Sequence, residues 1–251
     1  LLATVEDCDH RLYMIAEHEK YELAGIDGGK VMNRFKTIKP YREAMQKKEN
    51  EGKFTWTLGL YGTEAMASFA GMSLEEYWWE IINACYLDTD EPIKHWQETE
   101  ATLHTLTKKL TDMQIEWVHV VGEDVELKVK IGEKRKWLGG SGRNIPSFEV
   151  FTSPDWRGTN GWIRYNMPLS YQSNIIKWIR LEFKDGLVVN ATATENEKLL
   201  KEMIAQKDAD KAGEFSLTDR RLSRITKFMG ETLYDENVGG PFGNTHIALG
   251  M

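Results

Sequence analysis

The sequence predicts an α+β fold, with a mixed α/β N-terminal part followed by a mainly antiparallel one. Along residues 1–112 helical and strand periodicities, of about 3.6 and about two residues, alternate. After Asp112 the strand period takes over, with Val125, Leu127, Val129 and Ile131 interleaved by Glu126, Lys128 and Lys130. An Asp185-Gly186 pair between two alternating segments marks a hairpin, because that dipeptide supplies the left-handed backbone of a two-residue turn. On this pattern the chain divides into residues 1–112 and 113–251.

Residues 11–17 fit a short strand. A turn over Gly25–Gly29 follows, then a helix over 30–48 that Pro40 interrupts. Residues 53–61 alternate, with Phe54, Trp56, Leu58 and Leu60 on one face. Ser73-Leu74-Glu75-Glu76 is a capping box, in which the serine hydroxyl and the glutamate satisfy each other's orphan amides. Leu74, Trp78, Ile81, Ile82 and Cys85 then recur at helical spacing and mark a buried face. The aromatic run Tyr77-Trp78-Trp79 reads as core packing in preference to a ligand-stacking platform. A second helix covers 91–110, with Trp96, Leu103, Leu106 and Leu110 inward. Strands are predicted over 115–121, 125–131, 177–183 and 187–194. Thr194-Glu195-Asn196-Glu197 has the form of another capping box, opening a helix to about Ala205.

Apolar residues make up 41% of the 251 and charged residues 28%, which gives a core to bury and excludes disorder over most of the length. The net charge of −7 argues against a nucleic-acid partner, and the densest basic run, Lys134-Arg135-Lys136, reads as a solvated hairpin. No stretch reaches the ~18 apolar residues of a membrane span. The first twenty residues mix Glu, Asp, His and Arg and do not read as a signal peptide. Cys8 and Cys85 form no disulfide framework and lack metal-ligand spacing, which fits a reducing, cytoplasmic setting. The chain begins at Leu1 without Met and stops just after Ile247-Ala248-Leu249, so it reads as truncated at both ends.

No GxSxG elbow, P-loop or HExxH helix occurs in the sequence. His119 falls in an apolar strand and reads as structural, while His95 and His104 fall on the exposed side of a helix. Gly132–Gly142 is glycine-rich but lacks GxGxxG, so it reads as a hairpin plus loop. Three groups stand out as ionisable side chains set in apolar sequence. Glu149 lies between Pro146 and Pro154, beside Phe148 and Phe151. Glu214 follows Gly213 and precedes Phe215, and His246 separates a glycine loop from an apolar run. Charges placed so must be paired, protonated or metal-bound. Residue types alone leave open a shared metal site, a buried salt bridge or a sheet-edge acid.

At these segments the sequence resembles the metallo-aminopeptidase family that includes thermophilic aminopeptidase T and aminopeptidase S. The likeness runs from about residue 10 to Met251. It includes Ala24-Gly25-Ile26-Asp27 and the GMSLEEY segment from Gly71 to Tyr77. Its sharpest parts are Arg143-Asn144-Ile145-Pro146 leading to Glu149-Val150-Phe151-Thr152, then Gly213-Glu214-Phe215, then Leu233-Tyr234-Asp235-Glu236-Asn237 leading to His246-Ile247-Ala248-Leu249-Gly250.

The resemblance implies an exopeptidase with two divalent metal ions, acting on peptides with a free N-terminus and assembling as a homodimer. It implies ligand roles for Glu149, Glu214 and His246. Residues 113–251 would then be an α+β domain carrying part of the metal site, and residues 1–112 the C-terminal part of an α/β domain. It also implies a tyrosine and a His-x-Asp pair beyond Met251, so that this stretch alone is inactive. Two departures from the family's pattern are Ser147-Phe148, which bears on the substrate pocket, and a longer loop over Val238–Asn244. Glu236 fits a base, a loop-stabilising or an outer-shell role.

Carboxylate oxygens with an imidazole nitrogen suit zinc, cobalt or manganese. Two such ions, about 3.5–4 Å apart, lower the pKa of a shared water and polarise a peptide carbonyl for hydroxide attack. The first functional reading is therefore a metal-dependent aminopeptidase. The alternative, from another class, is a non-catalytic relative that keeps the fold as a binding or assembly module. A third option is a two-metal amidohydrolase acting on other amides.

Overall fold

The computed structural model describes residues 2–23, 26, 28–171 and 174–250, with backbone alone at 28, 29, 31, 32, 34 and 35. Of the segment Ala24-Gly25-Ile26-Asp27, all but Ile26 lies outside the described residues.

Helix α1 (Leu2–Asp7) precedes a βαβ unit made of β1 (His10–Ile15), α2 (Gly28–Asn50) and β2 (Thr55–Leu60). The two strands pair in parallel, with His10 opposite Thr55 and Ile15 opposite Leu60. Parallel neighbours require a crossover, and α2 supplies it. Two expectations are corrected here. Gly28 and Gly29 begin the helix instead of ending a turn, and α2 runs unbroken through Pro40. Pro40 and Lys36, whose carbonyl loses its partner, are both exposed, so solvent can meet the freed group.

Helices α3 (Glu64–Phe69), α4 (Leu74–Ala84) and α5 (Pro92–Asp112) follow. The capping box forms as predicted, with Ser73 Oγ accepting from the Glu76 amide at 3.2 Å and the Glu76 carboxylate accepting from the Ser73 amide at 2.9 Å. The buried face of α4 is Tyr77, Glu80, Ile81 and Ala84, rotated from the predicted stripe, with Trp78 and Ile82 only half-buried. The rotation follows Tyr77, which is wholly buried and donates to the Met229 carbonyl at 3.1 Å. Trp79 remains 59% exposed.

Beyond Asp112 the strand pairs among the described residues are antiparallel. The strands are β3 (Trp117–Gly122), β4 (Val125–Lys130), β5 (Glu149–Thr152), β6 (Asn160–Arg164), β7 (Leu169–Tyr171), β8 (Asn174–Ile176), β9 (Arg180–Lys184), β10 (Leu187–Thr192), β11 (Ala212–Thr218) and β12 (Asn244–Leu249). Five of them form a sheet in the order β10-β9-β6-β4-β3, and three form a second in the order β12-β11-β5. Asp185 and Gly186 join β9 to β10 with φ of 51° and 86°, the two left-handed residues that the dipeptide predicts. His119 lies in the apolar strand β3 as expected, but on its exposed face.

The short helices of this half are α6 (Glu197–Ile204) and α7 (Thr232–Asp235). The second capping box does not form. Asn196 caps α6 without a side-chain bond, and the Thr194 hydroxyl donates instead to the Lys177 carbonyl at 3.2 Å.

One apolar core joins Leu127, Val129, Ile163, Leu181 and Phe183 of the large sheet to Leu103 of α5 and to Val150, Phe215 and Ile247 of the small one. A second joins Leu60, Met66, Tyr77 and Ile81 to Phe148, Ile225, Met229 and Tyr234. Both cores take residues from either side of position 112. Among the described residues no helix is long and apolar enough to cross a membrane, and both cysteines are free.

Ser73→Ala removes one half of the capping box and is expected to cost about 1 kcal/mol. Urea unfolding checks this as a lower midpoint at unchanged slope.

Candidate metal centre

The small sheet places the three candidate residues on three adjacent strands. Glu149 opens β5, Glu214 lies in the central strand β11, and His246 lies in β12. In the register Ser216 faces His246 on one side and Phe151 on the other, while Thr218 faces Glu149. Side chains alternate across a strand, so Glu149, Glu214, Ser216 and His246 share one face. The opposite face carries Val150, Phe215 and Ile247 into the core.

A bulge sets the phase. The register shifts between Ala212 and Glu214, so Ala212 joins Phe215 in the core while Glu214 stays on the polar face. Gly213 permits this, because a Cβ there would stand 1.7 Å from the Gly250 carbonyl oxygen.

The side chains converge. His246 Nε2 lies 3.2 Å from Glu214 Oε1 and 3.4 Å from Glu149 Oε2. One donor atom from each of the three lies within 4.8 Å of the others. Glu149 is only 5% exposed, and its Oε2 accepts from the Ser216 hydroxyl at 2.5 Å. His246 Nδ1 lies 3.4 Å from Asn244 Oδ1, on the side of the ring away from the carboxylates. Among the described residues, His246 is the one base within ion-pair distance of Glu149 and Glu214.

Burial pushes the Glu149 carboxyl above the ordinary range, with His246 and the Ser216 hydroxyl opposing. At His246 burial works against the charge, but the Glu214 bond and the field of Glu149, Glu236 and Glu214 outweigh it, so its pKa rises. Glu236, at the end of α7, is pushed up to about 8 by burial and then by Glu149. It is thus a further carboxyl in the field of the same cluster. Asp235 is pushed up to about 7, again by burial first, although it accepts from the Met229 and Glu231 amides at 2.6 and 2.9 Å.

This donor set fits a divalent ion. Tetrahedral ligand atoms about 2.1 Å from a zinc ion lie about 3.4 Å apart, close to the two histidine–carboxylate gaps. Two carboxylates against one imidazole also leave net negative charge for a cation to offset. Sequence reading missed Ser216, although its place two residues after Glu214 in an alternating strand puts it on the same face. The cavity of about 780 Å³ at the Thr218–Asn244 end of these strands is lined by Phe148, Val150 and Leu217, and by none of the three candidate ligands. Phe148 itself is a core residue, stacked on Trp96 with ring centres 5.4 Å apart.

A group whose folded pKa exceeds its unfolded value binds protons more tightly in the folded state. Its stabilisation is full below the unfolded pKa and is lost as pH rises through the folded one. Glu149, Glu231, Asp235, Glu236 and His246 are all raised. The metal-free protein is therefore expected to lose stability between about pH 5 and about pH 8. Thermal melts after chelation check this, and a Tm that rises across that window contradicts it.

A family model described as thermophilic metalloprotease (M29) matches residues 1–251. Aminopeptidase AmpS of Bacillus subtilis (strain 168) is 30% identical over 233 residues, covering 86% of this chain and 55% of that protein. Aminopeptidase PepS of Streptococcus thermophilus is 28% identical over 247 residues, covering 90% of this chain and 58% of that one. The solved structure of wild-type AmpT from Thermus thermophilus overlays with a TM-score of 0.83 at 21% identity, over 98% of this chain and 64% of that chain. The chain thus spans little more than half the length of these curated relatives, and the shared α+β fold extends over nearly all of it. With its whole described length matched, the chain belongs to the thermophilic metalloprotease (M29) family.

Proposed function

We propose that this chain acts in a metal-dependent aminopeptidase, with Glu149, Glu214 and His246 as ligands in a centre of two divalent ions, zinc, cobalt or manganese. The convergence of three donor atoms within 4.8 Å, from three adjacent strands, carries the reading. The family match and the relatives named aminopeptidase support it.

A bound divalent ion supplies Lewis acidity to a peptide carbonyl and an activated water. The protein's own residues do the rest. Ser216 fixes Glu149 Oε2 by its hydrogen bond. Asn244 engages Nδ1 of His246 and leaves Nε2 to the cluster. Burial keeps the Glu236 carboxyl above its ordinary range beside the cluster, which suits it to hold a proton there. The excess negative charge suits the ammonium group of a peptide's free N-terminus, which would confine cleavage to the first residue. In this reading residues 113–251 carry part of the metal site, and residues 1–112 form the C-terminal part of an α/β domain. A homodimer is supported by the family resemblance, and a cytoplasmic setting by the two free cysteines.

Glu149→Gln and Glu214→Gln are expected to abolish tight binding of zinc or cobalt while circular dichroism stays native. Ser216→Ala should weaken binding about 10–100-fold. Metal analysis of the purified full-length protein, its mass checked, paired with release of leucine from leucyl peptides, tests the whole reading. Normal metal content with collapsed stability in the glutamate variants would support a buried ion pair instead. Full-length wild-type protein with neither metal nor cleavage would support the binding module.

A further inference from the structure

Asn237 is wholly buried, and its side chain joins two backbone segments. Its Oδ1 accepts from the Phe148 amide at 2.7 Å, and its Nδ2 donates to the Leu233 carbonyl at 3.1 Å. Phe148 immediately precedes Glu149, and Glu236 immediately precedes Asn237. One amide therefore ties the start of β5 to the end of α7.

That tie sits where the sheet stops helping. The pairing of β5 with β11 ends at Glu149 opposite Thr218. On its C-terminal side Glu149 is held by the ladder. On its N-terminal side the Phe148 amide is held by Asn237, while the Phe148 ring is held in the second core. Asn237 is itself fixed through its main chain, its amide donating to the Tyr234 carbonyl at 2.9 Å and its carbonyl accepting from the Ser223 hydroxyl.

We propose that Asn237 is a positioning residue of the metal centre: by holding the Phe148 amide it sets where Glu149 stands relative to Glu214 and His246. The proposal rests on the reading of Glu149 as a ligand. The chemistry asks for a primary amide. Aspartate can accept from Phe148, but its second oxygen faces the Leu233 carbonyl. Serine is too short to bridge both groups.

The test loads cobalt(II) into metal-free wild type and into Asn237→Asp, Asn237→Ser, Ser73→Ala and Glu149→Gln. Visible absorption reports the number and geometry of ligands, and melting is recorded alongside. Ser73→Ala removes half of the α4 capping box and has no bond to Asn237, so it controls for plain loss of stability. The wild-type band should vanish in Glu149→Gln. Both Asn237 variants should alter the band and weaken cobalt binding about tenfold or more, while Ser73→Ala keeps the band despite a lower Tm. Wild-type spectra and affinity in the Asn237 variants overturn the inference and leave Glu149 a ligand. An equal change in Ser73→Ala overturns it likewise. A wild type whose band does not depend on Glu149 overturns the ligand reading and the inference together.

Discussion

The burial of the Glu149 carboxylate is the constraint around which this half of the molecule is arranged. An ionised carboxylate out of water costs several kcal/mol unless charge and hydrogen bonds are returned to it. Here the return comes from one strand on each count: the Ser216 hydroxyl of β11 and the imidazole of His246 on β12. Both depend on the register of the small sheet. A slip of one residue would send Glu149 into the core and Val150 into the polar cluster. The same three strands therefore build an apolar wall on one side and a charged centre on the other.

Packing holds that arrangement from both ends. Val150, Phe215 and Ile247 lock the back of the small sheet against the larger sheet and α5. Phe148 reaches into the other core, beside Tyr77 and Tyr234. The segment that follows β11, which carries Glu236, is lashed to the N-terminal part by polar ties. Glu80 accepts from the Thr226 amide and hydroxyl, and Arg224 pairs with Asp88 at 2.7 Å. The buried Lys20 ammonium donates to the Gly230 carbonyl at 3.0 Å and pairs with Glu17 at 2.6 Å. The surroundings of the centre thus depend on residues more than a hundred positions away.

Membership of a metalloprotease family and the geometry of the cluster point to the same chemistry by separate routes. The family match concerns the whole chain, and the cluster concerns three atoms. Oxygen and nitrogen donors on rigid strands, backed by hydrogen-bonded neighbours, provide the preorganised shell that a metal site needs. Negative charge in excess of the single imidazole favours cations.

Much of this was determined by the sequence alone. The α4 capping box, the Asp185-Gly186 turn and the period-two alternation after Asp112 are local, since each is set by backbone preferences over a few residues. Glu149, Glu214 and His246 were legible as ionisable groups in apolar surroundings and as family motifs. The tertiary structure decided what short range cannot encode. It placed β11 between β5 and β12, and so turned three distant residues into one cluster. It turned α4 toward Tyr77, left Asn196 to cap α6, carried α2 through Pro40 and left His119 in water. It also brought in Ser216, whose residue type is commonplace, and gave contacts to Asn237, which the sequence showed only as the end of a family motif. The physical reason is common to all of these: hydrogen-bond partners and strand register are fixed by contacts between segments far apart in the chain.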